Sequence, residues 1–135
     1  MVATRDVAMR PEIGRAWGPE VSADGDRLTV CVEAPPDSSM ARNLKSGAPV
    51  AAMITRLASR ATVTLRGPVV TVAAPDPDRL AAVSDHVTAF VAELASVGVP
   101  ERIGRAMVSP DLQCVSFEMA ERLDEPRGPG ADRFR

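Results

Sequence analysis

A chain of 135 residues with 45% hydrophobic and 25% charged side chains has the composition of one ordinary globular domain, large enough to fold without disulfides. The balance of 16 basic against 18 acidic groups leaves a formal net charge of -2, and aromatics make up only 3%, so the basic surface and stacking platforms of a nucleic-acid binder are missing. No stretch approaches the roughly 18 uncharged apolar residues of a membrane span, and the N-terminus lacks the apolar run of a secretory signal; the expectation is a cytoplasmic protein with neither nucleic acid nor membrane as partner.

In chain order, the first ten or so residues show no period and read as a loose arm or a short helix. Ala16 to Ser22 is at best an edge strand, since Pro19 cannot donate to a ladder on both sides. Asp24-Gly25 marks a hairpin turn, and Arg27 to Ala34 alternates, with Leu28, Val30 and Val32 on one face and Thr29, Cys31 and Glu33 on the other. Pro35-Pro36 ends that strand. Asp37, Ser38 or Ser39 can cap a short helix running to about Ser46, with Gly47 suited to its left-handed end and Val50 to Thr55 following as a strand.

Ala61 to Ala73 reads as one long strand region whose apolar phase shifts at Gly67-Pro68, which predicts a bulge or a bend. Asp76-Pro77 starts a helix to about Val97, with Leu80, Val83, Val87, Phe90, Leu94 and Val97 along one face. Gly98 closes it, Pro100 to Met107 adds another turn or two, and Leu112 to Ala120 is the last expected strand. Strands dominate and short turns join them, which favours an antiparallel barrel with segregated helices. The expected organisation is a single domain over residues 1–125 and a flexible tail over 126–135, where apolar content is low.

Catalytic signatures are sparse. A lone His86 on a helix flank supports neither a hydrolytic triad nor a catalytic base and reads as a surface or partner-contacting residue. One His and two scattered Cys cannot supply the ligands of a zinc site, so no metal is expected, and Cys31 and Cys114 read as two buried reduced thiols. The two common phosphate-loop fingerprints, GxGxxG and GxxxxGK[ST], are absent. What remains is the capped short helix, where Ser38, Ser39, Arg42 and Lys45 surround a first turn whose open N–H groups favour an anion. Equally, the serines are simple caps and the basic residues a solvated face. Trp17 suits a ligand-stacking or pocket-lining role and a core or dimer anchor alike.

The stretch MARNLKSGAPVAAMI, Met40 to Ile54, resembles a KARNLxxxPxVAxxI pattern that precedes a core strand in the FMN-binding split barrels of the pyridoxamine 5'-phosphate oxidase-like family. RATVTLRG, Arg60 to Gly67, and VSFEMAERLDE, Val115 to Glu125, are similar to later strands of that family. The resemblance spans about residues 10 to 126 and implies a mainly β (α+β) fold, a six-stranded antiparallel split β-barrel with one short phosphate-side helix and one long amphipathic helix. It further implies a homodimer that holds FMN between subunits and acts as an oxidoreductase on a small organic substrate. Carried over by position, Ser38, Ser39, Arg42, Asn43, Arg60 and Thr62 become the expected cofactor-binding residues, with no catalytic residue assigned. Met40 departs from the usual basic residue, and Arg60 stands one position earlier than the usual arginine. The alternative is a non-enzymatic split-barrel dimer that binds heme, a deazaflavin or no flavin.

Overall fold

The computed structural model describes residues 1–125; the expected tail lies outside the described residues. Among these, nine strands form two antiparallel sheets. One holds β1 (Val2–Arg5), β2 (Pro11–Gly14), β5 (Val50–Arg56), β6 (Ala61–Gly67) and β9 (Glu121–Glu125), in the order β2-β1-β5-β6-β9. The other, in the order β3-β4-β8-β7, holds β3 (Ala16–Val21), β4 (Arg27–Glu33), β7 (Val69–Ala73) and β8 (Leu112–Glu118). The helices are α1 (Ser39–Lys45), α2 (Pro77–Ser96) and α3 (Glu101–Ala106). The fold is thus mainly β, as expected, but it has nine strands rather than six and no closed barrel.

Three of the extra strands have plain causes. The supposed N-terminal arm is β1, a strand inside its sheet between β2 and β5, with Val2 fully buried. Four residues are too few for a period to stand out in sequence. The long region 61–73 is two strands that belong to different sheets. At the break, a Cβ on Gly67 would stand 1.6 Å from the Glu118 carbonyl oxygen, so only glycine lets the chain cross there. After β8 the chain crosses back, and β9 pairs with β6 from Thr62↔Glu125 to Arg66↔Glu121.

Period-two alternation sorts β4 and β8 into two cores. Leu28, Val30 and Val32 face inward with Val115 and Phe117, and α1 closes this inter-sheet core with Met40, Ala41 and Leu44. On the outer face, Cys31, Cys114 and Leu112 pack with Trp17 under Val83, Val87 and Val91 of α2. The buried stripe of α2 is narrower than the sequence suggests, since Leu80 and Val97 are exposed.

The reading of Cys31 and Cys114 as two reduced thiols is corrected. Antiparallel register sets them directly opposite each other on β4 and β8, and they form a disulfide across 83 residues of chain. Sequence distance had hidden the pair because register, not spacing along the chain, decides which strand residues meet.

Candidate functional site

Ser38 is the N-cap of α1. Its Oγ accepts from the Ala41 N–H at 3.1 Å, which leaves the Ser39 and Met40 N–H groups without an intrahelical acceptor. Gly47, with φ of 75°, closes the helix. Arg42 folds back over the first turn: it donates to the Asp37 carbonyl at 2.6 Å and to Ser39 Oγ at 3.0 Å. Asn43 points the other way. It is buried and donates to Thr4 Oγ1 at 3.0 Å, tying the helix to β1. Met40, 2% exposed, packs its methyl against Gly14 and takes a weak contact from the Thr4 hydroxyl, so an apolar plug stands where a cation would face an anion.

Arg60 and Thr62 are placed apart from these. Gly67 pairs with Val50, where β5 leaves the α1 region, and Thr62 pairs with Thr55, roughly 16 Å further along the hairpin at about 3.3 Å per residue. There Thr62 shares a hydroxyl hydrogen bond with Thr55, and Arg60 lies in the turn with φ of 54°. The fold brings Ser38, Ser39, Arg42 and Asn43 together on one short helix and leaves Arg60 and Thr62 at the distal end of β5–β6.

Beside α1 lies a cavity of about 470 Å³, bounded by Gly14, Arg15, Glu33, Pro35, Ser38, Met40 and Ser109. Of the six expected residues only Ser38 lines it. Arg15 lies on its lining, as does Met1, which carries the N-terminal ammonium, and Glu12 joins the acidic side. Glu33 brings a carboxylate that accepts from the Ser109 N–H at 3.2 Å. The site therefore fits a phosphate in its open N–H groups, Ser38 and Arg15, and opposes one at Met40 and Glu33.

A second cavity, about 490 Å³, opens between β3–β5 and α2, its wall formed by Trp17, His86, Phe90, Leu28, Ile54 and Met107. Arg15 and Met1 border both cavities. The reading of His86 as a surface or partner-contacting residue gains detail here, since the ring is partly buried and bonded to the neighbouring strand. Gly18, φ of 61°, brings β3 so close to α2 that its N–H donates to His86 Nδ1 at 2.9 Å. A Cβ at Gly18 would lie 3.1 Å from the Val83 nitrogen, so glycine is what permits the approach. Burial holds the imidazole below its ordinary pKa, helped by the nearby N-terminal ammonium, while Glu93 pulls the other way. Trp17 meets both His86 and Phe90 edge-on, at ring-centroid distances of 5.9 and 5.3 Å. Its indole N–H is buried and finds no acceptor among the described residues.

Sequence reasoning missed Arg15 and undervalued His86 and Trp17. The available signal was scarcity: a sole Trp and a sole His in a chain with 3% aromatics.

No protein-family model matches the sequence, and no curated protein matches it. Among solved structures, the chain is similar to a protein of Lactobacillus delbrueckii that carries the provisional designation pyridoxamine 5'-phosphate oxidase, with a TM-score of 0.52, 18% identity, and 90% of this chain and 80% of that one covered. It is also similar to a Clostridium acetobutylicum protein related to general stress protein 26, of the pyridoxinephosphate oxidase family, with a TM-score of 0.54, 14% identity, and 94% and 78% covered. Two antiparallel sheets, a short capped helix closing the core between them and a long helix on the outer face thus make up a pyridoxamine 5'-phosphate oxidase-like fold.

Proposed function

We propose that this chain is a homodimeric FMN-binding protein, with the flavin phosphate beside α1 and an oxidoreductase activity on a small organic substrate. The observation that supports it is the cavity where the first turn of α1, Ser38 and Arg15 converge, in a chain whose fold is that of pyridoxamine 5'-phosphate oxidase-like structures. Met40 would offer its N–H to the phosphate, Ser38 its hydroxyl, and Arg15 a guanidinium. A bound flavin would supply the redox chemistry, with the protein holding and orienting it.

The test is direct: purified protein should be yellow, or should take up added FMN with release of the flavin spectrum on denaturation. Arg15→Ala should weaken FMN about ten- to a hundredfold, the worth of one charge-assisted contact. A colourless protein that fails to bind FMN at high micromolar concentration rejects the reading.

Met40 and Glu33 favour a second reading: a non-enzymatic split-barrel dimer that binds heme, a deazaflavin or no flavin. An apolar plug and a carboxylate both disfavour a dianionic phosphate. Retention of heme, or of a deazaflavin, by protein that refuses FMN would decide for it.

A further inference from the structure

The cavity under α2 stands apart from the phosphate question. The described residues contain four aromatic or imidazole rings, and three of them, Trp17, His86 and Phe90, meet at this one wall, while Phe117 lies in the inter-sheet core. Such a concentration in an aromatic-poor chain is not what burial alone requires, because aliphatic residues fill the rest of both cores. The volume, about 490 Å³, falls within the roughly 300–1,000 Å³ of small-molecule sites. Its floor is deep: Leu28, Val30 and Ala52 are each no more than 4% exposed, which suits an inserted molecule better than a flat protein partner.

The polar lining is specific. His86 Nδ1 accepts from the Gly18 N–H, so the neutral ring carries its proton on Nε2, and Nε2–H has no acceptor among the described residues. We propose that this cavity binds a small, flat, uncharged organic molecule, its ring against Trp17 and Phe90 and a carbonyl or ring-nitrogen acceptor on His86 Nε2–H. Protonating His86 would require breaking the Gly18 bond, so the ring that faces the cavity is the neutral one, with Nε2–H as its donor. Arg15, Glu93 and Met1 all border the cavity: the charges of Arg15 and Glu93 offset each other, and the Met1 ammonium, whose pKa burial lowers, donates to the Met53 carbonyl at 3.0 Å. The ring wall and His86 belong to this cavity alone, although Arg15 and Met1 border the neighbouring one as well.

Benzamide and toluene, titrated separately into ¹⁵N-labelled full-length protein, test this. Benzamide should saturably shift the Trp17 indole N–H, the sole indole in the chain, together with the His86 ring signals. Toluene, which lacks the acceptor, should bind about tenfold more weakly, the worth of one hydrogen bond. In His86→Phe that preference should vanish, and in Phe90→Leu both probes should weaken alike. Should His86→Phe not fold, the benzamide–toluene preference in the native protein decides. The proposal is overturned by equal affinity for the two probes, by shifts that map away from Trp17, or by no shift up to probe solubility. A Trp17 signal that responds to protein dilution but to neither probe also overturns it, and marks the face as covered by a second copy.

Discussion

On α1 the side chains of Ser38, Arg42 and Asn43 are engaged within the fold, whereas beside α2 two polar hydrogens have no acceptor among the described residues. Ser38 caps its own helix, Arg42 clasps Asp37 and Ser39, and Asn43 is buried on Thr4. In the neighbouring cavity, the Trp17 indole N–H is buried with no acceptor among the described residues and His86 offers Nε2–H. The difference teaches that a segment matching a ligand-binding pattern can hold that pattern for reasons of folding. A ligand-ready wall, conversely, can assemble from residues that match no motif.

The comparison can be broken most forcefully at the element both sides share. Gly67→Ala places a Cβ against the Glu118 carbonyl where the chain passes between sheets, so neither cavity should survive, and unfolding in denaturant should show a loss on the order of 4 kcal/mol or insoluble protein. A loss below about 1 kcal/mol would mean that the crossing is looser than the geometry indicates.

The α2 side alone is addressed by the Cys31–Cys114 bridge. Replacing both residues with Ala should lower stability by about 2–4 kcal/mol, by freeing the unfolded chain and thinning the packing under α2. Thiol titration of the native protein should find neither cysteine free before reduction. Because such bridges persist in oxidising compartments, the same titration on freshly lysed cells tests the cytoplasmic expectation. Among the described residues, no helix is long and apolar enough to cross a membrane.

On the α1 side, Asn43→Ala should cost about 1–3 kcal/mol, since Thr4 would keep a buried hydroxyl with no amide to receive. If Asn43 positions the helix and does not touch ligand, the loss should appear in unfolding while FMN or benzamide affinity changes no more than twofold in the folded fraction. A large change in FMN affinity at constant stability would restore Asn43 to the binding site.

The smallest effect sharpens the α2 side through pH. Folding lowers the His86 pKa, chiefly through burial, so the unfolded chain binds that proton more readily than the folded one. Stability should therefore decline as pH falls below the unfolded imidazole value of about 6.5 and level off beneath the folded value. His86→Phe should remove that slope; an unchanged slope would assign it to other groups.

Much of the fold was legible in local chemistry. Strict alternation in Arg27 to Glu33 separates two faces whatever the partners, Asp76-Pro77 starts a helix in any context, and Gly67-Pro68 must interrupt a strand. The resemblance of Met40 to Ile54 pointed to the right fold because caps, turn and strand repeat there as one unit. The candidate site was far less legible. Ser38 was found because a cap is a local signal, but Arg15 was missed because nothing around it in sequence announces a cavity.

What the amino-acid order determined by itself, then, is the set of elements and their apolar faces, for these depend on neighbours within one or two turns or pleats. Tertiary structure alone decided that β6 and β7 lie in different sheets, that Cys31 meets Cys114, and that Trp17, His86 and Phe90 share a wall. Those outcomes depend on strand register and on the close pass of Gly18 against α2, which join residues tens of positions apart. No periodicity along a single chain encodes such a meeting, because it belongs to the packing between elements.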